Sequence, residues 1–260
     1  ETGMSLLRIE KISKSFGGLM AVSNVSFNVE KGSLIGLIGP NGAGKTTLFN
    51  VLTGVYAPSN GKVWLHKDVD ILLSDKKPHQ IAQIGVARTF QNIRLFKELT
   101  VLDNIKIAMN QQVEYGLIGS LSHVGVFHEA EHTIHQKALQ ILAMVSLDKL
   151  AQEKAKNLPY GKQRQLEIAR ALATGSKLLF LDEPAAGMNP QETQELTSFI
   201  ASIRKKMDLT IVLIEHDMSL VMKICEKIFV LDYGKLIASG TPTQIKNDPR
   251  VIEAYLGEEE

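Results

Sequence analysis

Short apolar runs alternate along the chain with longer segments of helical spacing. The runs at residues 34–38, 177–181 and 210–214 consist mostly of Leu, Ile, Val and Phe. Runs of this length and composition predict strands that are buried on both faces, as in parallel sheets. Residues 6–12 and 25–29 instead alternate apolar and polar side chains, which predicts strands with one exposed face.

Helix signals follow the buried runs. The sequence predicts a helix over residues 46–52 that stops at Gly54, because glycine readily ends helices. Asn189, Pro190 and Glu192 provide an N-cap, a first-turn proline and an acid at the third position of another helix. Further predictions are a turn at 58–61, strands at 62–65, 84–87, 228–231 and 236–238, and helices that begin near Pro78, after Asp217 and after Asp248, the last ending at Gly257.

The segment from about 93 to 175 is predicted to be mainly helical. Thr100 and Asp103 resemble a capping box before a helix that runs through Met109. Residues 113–127 have an irregular pattern, and residues 128–145 predict an amphipathic helix. The chain is therefore predicted to be one α/β domain over residues 4–257 with a helical insertion at 93–175. Residues 1–3 precede Met4 and are expected to be a cloning remnant.

Composition excludes several classes of protein. Hydrophobic residues make up 44% of the 260 residues and charged residues 22%, which is ordinary for a globular domain. The net charge of +1 gives no reason to expect nucleic-acid binding. Cys225 is the single cysteine, so no internal disulfide is expected and a reducing cytosol suits the chain. No apolar run approaches the roughly 18 residues that a membrane-spanning helix needs.

A phosphate-binding pattern, G-x-x-x-x-G-K-[ST], follows the first buried run. The pattern and the threonine after it comprise Gly39, Pro40, Asn41, Gly42, Ala43, Gly44, Lys45, Thr46 and Thr47. A strand, a glycine turn and a helix start direct backbone N–H groups and the positive end of the helix dipole at one place. Lys45 is expected to reach the β- and γ-phosphates, and the Thr46 hydroxyl to bind Mg²⁺. The alternative, a glycine-rich turn without a ligand, is disfavoured because strand, loop and helix agree.

An acidic pair, Asp182 and Glu183, follows the second buried run directly. The Asp182 carboxylate is expected at the carboxyl edge of the sheet near the phosphate loop, where it could hold Mg²⁺ through water. Glu183 would point in another direction and could act as a general base for the hydrolysis of a nucleotide. The alternative is a solvated strand end.

Three further residues are candidates for the same site only because of their position in the predicted fold. Gln91 follows a predicted strand, and His216 follows the buried run 210–214. Each alone would be an ordinary loop residue, but parallel strands bring their following loops to one sheet edge. Phe16 lies ahead of the core, where it could stack on adenine or pack in the interior, and the residues alone leave both possibilities open.

The segments TFQN, LPYGKQRQLEIARAL, LLFLDEP and IEHD, in this order after the phosphate loop, resemble the ATPase subunits of ABC transporters. Within that family, RTFQNIRLF, DEPAAGMNP, LIEHDMSLVM and the tail VIEAYLGEE are similar to the ATP-binding subunit of branched-chain amino acid importers. The resemblance covers nearly the whole chain. It implies a P-loop NTPase (RecA-like) core with a mainly parallel sheet, an N-terminal antiparallel β-subdomain and an inserted helical subdomain.

The resemblance implies ATP and Mg²⁺ as cofactors and gives each motif residue a role. Catalytic roles fall to Glu183 as base, His216 as the γ-phosphate switch and Gln91 as a sensor of the site. The other implied roles are metal binding by Thr46, Gln91 and Asp182, phosphate binding by the loop 39–47 and adenine stacking by Phe16.

One motif departs from the family pattern. The signature segment that would meet a partner's ATP, usually LSGGQ, is here Leu158, Pro159, Tyr160, Gly161 and Lys162. Pro159 replaces the serine, so the hydroxyl that would meet the γ-phosphate is absent. The resemblance therefore leaves ATP binding intact but predicts a weaker half-site for the partner.

The resemblance also implies the partners of the chain. These are integral-membrane permease subunits, a second ATPase subunit (a sibling or a copy of this chain) and, indirectly, a substrate-binding protein, with no nucleic acid. The chain would then lie peripherally on the cytoplasmic face of the inner membrane. Ile93, Leu95 and Phe96 could line a seat for the permease or pack within the chain. The alternatives are an ABC ATPase for another substrate, such as another amino acid or a lipid, a soluble ABC ATPase outside transport, and a regulatory nucleotide-binding module.

Overall fold

The computed structural model describes residues 5–114 and 124–256. Its strands in those ranges are β1 (Ser5–Phe16), β2 (Leu19–Glu30), β3 (Leu34–Ile38), β4 (Asn60–His66), β5 (Asp70–Leu72), β6 (Val86–Arg88), β7 (Leu178–Asp182), β8 (Thr210–Ile214), β9 (Lys227–Asp232) and β10 (Lys235–Gly240). Its helices there are α1 (Lys45–Leu52), α2 (Pro78–Gln83), α3 (Val101–Glu114), α4 (Val124–Met144), α5 (Tyr160–Ala173), α6 (Pro190–Met207), α7 (Met218–Ile224), α8 (Pro242–Lys246) and α9 (Pro249–Leu256). Of these helices, none has the length and apolar character needed to cross a membrane.

Six strands form a central sheet in the order β10-β9-β3-β8-β7-β6, and every neighbouring pair except β10 with β9 is parallel. All residues of β3, β7 and β8 are buried, which confirms the three predicted buried strands. The register pairs Ile214 with Leu37 on one side and with Asp182 on the other. These three strands therefore end level with one another, and the loops that follow them start at one edge of the sheet.

A second, antiparallel sheet has the order β2-β1-β4-β5 and contains the N-terminal strands. Its buried side chains share a core with the central sheet, and the rings of Phe27 and Phe229 lie 4.3 Å apart across it. The antiparallel N-terminal part of the predicted fold is confirmed. β1 and β2 are longer than predicted, and β5 was not predicted because three residues carry too little alternation to reveal a strand.

The strand predicted at 84–87 is wrong at its start. Pro78 opens α2 as expected, but Ile84 is the C-cap residue of that helix. Gly85 follows with φ 99°, a conformation that favours glycine, and β6 begins only at Val86. Ile84 is apolar because it packs against the core beneath the helix, which made it resemble part of a strand.

The helices between β6 and β7 differ in extent from the prediction. The Thr100 hydroxyl accepts a hydrogen bond from the Asp103 N–H at 3.0 Å, as a capping residue should, but α3 continues past Met109. The irregular segment predicted at 113–127 is wrong at both ends, because α3 reaches Glu114 and α4 begins at Val124; residues 115–123 lie outside the described residues. These helices share one core with the central sheet, so the bounds 93 and 175 of a separate subdomain stay a prediction.

The C-terminal elements follow their sequence signals closely. The Asn189 side chain accepts a hydrogen bond from the Glu192 N–H, and the Asp217 side chain caps α7. β9 and β10 form the predicted hairpin, and α9 begins at Pro249. α8 was not predicted, and Gly257, the predicted end of the last helix, lies outside the described residues.

Candidate nucleotide site

The phosphate loop runs from the end of β3 into α1 and is shaped by close backbone contacts. A Cβ on Gly39 would collide with the carbonyl oxygen of Leu231, and one on Gly44 would lie 2.5 Å from the carbonyl oxygen of Ala21. Gly44 has φ 96°, and it is the N-cap of α1. Glycine is therefore required at both ends of the loop for space, and at Gly44 also for backbone conformation.

The turn between β9 and β10 holds the phosphate loop from behind. The Gly234 N–H donates to the Ala43 carbonyl at 2.9 Å, and the Gly234 carbonyl accepts from the Ser23 N–H at 2.8 Å. Tyr233, beside it, is 86% exposed and lines the cavity at the loop. The sequence identified this hairpin but gave no indication that it contacts the phosphate loop, because the contact joins residues about 190 positions apart.

Lys45 is buried, although it is the first residue of α1. Its ammonium group donates hydrogen bonds to the carbonyl oxygens of Gly39 and Pro40, the latter at 3.1 Å. The side chain therefore lies back along the loop. A phosphate in the loop would offer the ammonium a charged acceptor, which forms a stronger hydrogen bond than a neutral carbonyl.

A cavity of about 460 Å³ opens in front of the loop. It is lined by the loop and helix start from Asn41 to Thr47, by Leu19, Met20 and Ala21 of β2, and by Glu183, His216 and Tyr233. Thr46, the predicted Mg²⁺ ligand, is exposed. The phosphate loop, the predicted base and the predicted switch histidine thus line one space.

Glu183 and His216 are in contact where they line that cavity. His216 Nε2 lies 2.7 Å from Glu183 Oε1. The Glu183 side chain is 13% exposed and that of His216 is 51% exposed. Glu183 has φ 46°, which is strained for a residue with a side chain, and its N–H donates to the Ile214 carbonyl at 2.9 Å. Strain of this kind persists where the surrounding structure fixes a side chain in place.

Asp182, the predicted metal ligand, is nearly buried and is paired with an arginine. Arg88 Nη2 donates to Asp182 Oδ2 at 2.8 Å. The other terminal nitrogen of Arg88 donates to Asn50 Oδ1 at 2.7 Å and to Thr53 Oγ1 at 2.9 Å. Sequence reasoning missed this guanidinium, which anchors Oδ2 of Asp182. Asp182 is not among the residues that line the cavity, so its role as a metal ligand stays a prediction.

Gln91 lies in an exposed loop after β6 and is not among the residues that line the cavity. Its position is set through its backbone by α5. Arg164, which is fully buried, donates to the carbonyl oxygens of Gln91 at 2.6 Å and Phe90 at 2.7 Å. Arg164 also pairs with Glu167 at 2.6 Å, and Glu167 accepts from the Arg94 N–H at 3.0 Å. Burial raises the pKa of Glu167, and the charge of Arg164 opposes that shift.

The signature segment lies away from the cavity of its own chain. Pro159 is the N-cap of α5 and makes no side-chain capping hydrogen bond. Tyr160 is 40% exposed, and its hydroxyl donates to the Ala186 carbonyl at 3.3 Å, in the loop after Glu183. Lys162 donates to Gln165 Oε1 at 3.1 Å within the same helix. The described cavity is thus built without Leu158, Pro159, Tyr160, Gly161 or Lys162.

Phe16, the predicted adenine platform, lies at the end of β1 and is 42% exposed. Its ring meets Tyr56 edge to face at 5.2 Å, and the Lys14 ammonium lies 5.1 Å from its centre. It does not line the cavity at the phosphate loop. Phe16 is therefore a surface aromatic rather than a core residue, and adenine stacking stays a prediction.

These loops, at the carboxyl edge of a mainly parallel sheet, define a P-loop nucleotide-binding protein. A family model described as ABC transporter matches residues 22–186, and one described as branched-chain amino acid ATP-binding cassette transporter matches residues 235–260. The chain belongs to the ATP-binding proteins of the ABC transporter family.

Similarity to known members extends along nearly the whole chain. The chain is 47% identical over 253 residues to the high-affinity branched-chain amino acid transport ATP-binding protein LivG of Salmonella typhimurium, covering 97% of this chain and 98% of LivG. It is 44% identical to BraF of Pseudomonas aeruginosa with the same coverage. A crystal structure of an ATP-binding cassette of an ABC transporter in its ADP conformation superposes with a TM-score of 0.82 at 32% identity, covering 98% of this chain and 99% of that one.

Proposed function

We propose that this chain binds and hydrolyses ATP to power the uptake of branched-chain amino acids through a membrane permease. The observation that supports this best is the single cavity lined by the phosphate loop, Glu183 and His216. Hydrolysis of a nucleoside triphosphate needs a phosphate cradle, a base for the attacking water and a donor for the γ-phosphate, and these residue types provide all three. The substrate assignment rests on relatives that are named for branched-chain amino acid transport.

ATP would bind with its phosphates on the backbone N–H groups of residues 39–47 and at the amino end of α1. Lys45 then exchanges its carbonyl acceptors for the β- and γ-phosphates. The exposed ring of Phe16 stacks on the adenine. Of the residues that make these contacts, Lys45 lines the described cavity and Phe16 does not.

The donors available for Mg²⁺ are the Thr46 hydroxyl, Asp182 Oδ1 and the Gln91 amide oxygen. They suit the ion because Mg²⁺ prefers oxygen ligands and retains several waters. When bound, Mg²⁺ neutralises charge on the β- and γ-phosphates. Arg88 keeps the Asp182 carboxylate oriented through Oδ2.

Glu183 and His216 would change partners when ATP binds. With a hydrogen on Nε2, His216 can share that N–H with Glu183, whose Oε1 lies 2.7 Å away in the described structure. A γ-phosphate offers that N–H a more highly charged acceptor. Once His216 turns to the phosphate, the Glu183 carboxylate can accept a proton from the attacking water. A regulatory module without hydrolysis would lack such a base, so the presence of Glu183 argues against that alternative.

A complete ATP site needs a second ATPase subunit, either a sibling or another copy of this chain. The signature segment 158–162 contributes no lining residue to the described cavity of its own chain, so it is available to the ATP of a partner. The net charge of +1 offers no attraction to nucleic acid, which disfavours the soluble alternative that acts on nucleic acid.

The permease would contact the segment after Gln91, which places the chain on the cytoplasmic face of the membrane. Leu95 is partly buried and packs against the main core, so it serves folding rather than a seat. Phe96 is 43% exposed, with the Arg170 guanidinium 4.9 Å from its ring centre. An exposed aromatic ring is a suitable contact for an apolar helix end, so Phe96 is the better candidate for the seat.

Transport in proteoliposomes tests the function. The chain is expected to co-purify with membrane subunits that, with their substrate-binding protein, import radiolabelled leucine only when ATP is present on the side of this chain. Unlabelled isoleucine and valine should compete, whereas acidic amino acids and phospholipids should not. Competition by another substrate class would replace the substrate assignment, and co-purification with no membrane subunit would favour the soluble alternative.

Phe96→Asp tests the permease contact within the same assay. A charge in an apolar interface is expected to lower ATP-dependent leucine uptake at least about 10-fold, because an unpaired charge would have to be buried. Basal ATPase activity should stay near that of the wild type. Val69→Asp is the matched control, since Val69 is 67% exposed between β4 and β5, far along the chain from this segment. Equal uptake by both variants would remove Phe96 from the interface.

A further inference from the structure

Glu215 is a buried carboxylate with no role in the reaction described so far. It follows β8 directly, precedes His216 and is only 2% exposed. Burial raises its pKa, and hydrogen bonds from backbone N–H groups oppose that shift. A charged group in this position is costly unless it is well satisfied, so its contacts explain why the fold accommodates it.

The two carboxylate oxygens of Glu215 contact two different loops. Oε1 accepts a hydrogen bond from the Ala185 N–H at 2.6 Å. Oε2 accepts from the N–H of His216 at 3.0 Å and from that of Asp217 at 3.2 Å. The carboxylate therefore lies between the loop that follows β7 and the loop that follows β8.

The loop after β7 carries Glu183, and the loop after β8 carries His216. In the first loop, the Ala186 N–H donates to the Glu183 carbonyl at 3.1 Å, so Ala185 lies inside a turn that starts at the proposed base. In the second loop, His216 is the residue whose own N–H is bound by Glu215. The Glu183 N–H already ties the start of the first loop to the Ile214 carbonyl at the end of β8, at 2.9 Å. Glu215 adds a second link between the two loops, beyond Glu183, at Ala185.

We propose that Glu215 is a positioning residue for ATP hydrolysis, which fixes the turn after Glu183 against the loop that carries His216. The inference rests on the proposed roles of Glu183 and His216. Glu215 is not among the residues that line the cavity at the phosphate loop. It acts by keeping His216 Nε2 within reach of both Glu183 and the γ-phosphate, so that the exchange of partners occurs without a change in the spacing of the loops.

Only a group with two acceptor oxygens can make this set of contacts. In Glu215→Gln the side-chain amide nitrogen would face either Ala185 N–H or the pair of N–H groups at His216 and Asp217. With its nitrogen toward Ala185, the amide NH₂ would face one backbone N–H, donor against donor. With its nitrogen toward His216 and Asp217, it would face two. The amide should therefore turn its nitrogen toward Ala185. The variant is then expected to retain the His216 loop and to release the turn after Glu183.

The first measurement compares Glu215→Gln with Glu153→Gln. The control makes the same chemical change at an exposed glutamate that precedes α5. Glu215→Gln should lower kcat about 10- to 100-fold, which is the range that a catalytic group misplaced by about 1 Å costs. KM for ATP should change little, because phosphate contacts remain. Hydrogen exchange of the backbone amides at 185–188 should become faster in Glu215→Gln but not in Glu153→Gln. A kcat within about 2-fold of wild type, or unchanged exchange, would overturn the proposal.

A double-mutant cycle separates positioning from a general structural effect. If Glu215 acts through the turn that carries Glu183, adding Glu215→Gln to Glu183→Gln should lower kcat by less than about 2-fold more, since the group that the turn positions is already gone. If the two variants instead lower kcat independently, so that their effects multiply, Glu215 acts through some other group. Wild-type turnover in Glu183→Gln would overturn both this inference and the proposed role of Glu183, whereas a slow Glu183→Gln with a normal Glu215→Gln overturns this inference alone.

Thermal melting identifies a variant that fails to fold. Should Glu215→Gln melt below the assay temperature, Glu215→Asp takes its place in the same cycle. Aspartate keeps the charge but is one methylene shorter, so it cannot reach both loops at once. The same loss of kcat and the same non-additivity with Glu183→Gln are expected, and independent effects would count against the proposal in the same way.

Discussion

The two halves of an ATP site that this chain carries are built in different ways. The phosphate-loop half has a buried Lys45 and a loop whose Ala43 carbonyl is held by the hairpin turn, with Glu183 already paired to His216. The signature half presents Pro159, which has no N–H and no hydroxyl, and a half-exposed Tyr160. The first half is held by contacts within the chain, whereas the second consists mainly of the start of a helix with few polar side chains.

This difference indicates which half limits the reaction. The backbone N–H groups at the start of α5 and the charge of Lys162 remain available to an anion. A serine at position 159 would add one hydrogen bond to a charged phosphate, worth about 1.5–3 kcal/mol. We therefore expect the site that contains this chain's own Lys45 and Glu183 to be the faster one when a sibling with a serine signature completes it, and the site completed by Pro159 to be the slower one.

The largest effect is expected from the phosphate-loop half. Glu183→Gln should retain ATP binding and lower hydrolysis at least about 100-fold, within the range that general-base catalysis supplies. Nucleotide affinity and phosphate release are the two measurements. Glu153→Gln serves as the control because it makes the same chemical change at an exposed position. Wild-type turnover in Glu183→Gln would show that Glu183 is not the base. The phosphate-loop half would then have no catalytic advantage over the signature half.

A smaller effect, of opposite sign, is expected from the signature half. Pro159→Ser should raise ATPase activity several-fold in the isolated protein, where both signatures come from this chain, because the hydroxyl adds a donor for the γ-phosphate. Pro159→Ala is the matched control, since it removes the proline ring but adds no hydroxyl.

Stability must be measured alongside the activity of these two variants. Serine at the N-cap of α5 can also accept an N–H from the first turn, which would stabilise the helix by about 1 kcal/mol without nucleotide. If neither variant exceeds wild type, Pro159 does not slow the reaction, and Lys162 would then be the residue that compensates. If serine and alanine raise the ATPase rate equally, the gain comes from removing the proline ring and not from the hydroxyl.

The sequence predicted those parts of the fold that depend on local pattern. The buried runs became β3, β7 and β8, and the caps at Asn189 and Asp217 were correct, because each rests on neighbouring residues. The sequence also predicted that Glu183 and His216 lie at the same edge of the sheet, since parallel strands bring the loops that follow them to one edge. The start of β6 was wrong because one apolar residue, Ile84, serves a helix end as readily as a strand.

The contacts that hold the site residues in place were not predictable. Arg164 contacts the Gln91 carbonyl across 73 positions of sequence, and Arg88 contacts Asp182 across 94. Both arginines occur in segments where a solvated charge is the ordinary expectation, and no local pattern distinguishes a buried guanidinium from an exposed one. The role of Glu215 was hidden for the same reason, because its partner Ala185 contributes only a backbone N–H.

The smallest effect is expected where the two halves touch within one chain. Tyr160→Phe removes the hydroxyl that donates to the Ala186 carbonyl at 3.3 Å, a long and partly exposed hydrogen bond. Such a bond contributes about 0.5 kcal/mol at most, so the melting temperature should fall by about 1–2 °C. Tyr233→Phe is the control for melting, since Tyr233 is 86% exposed. If both variants melt with wild type, the signature and the loop after Glu183 are independent in the free subunit, and the two halves communicate only through bound nucleotide and the partner.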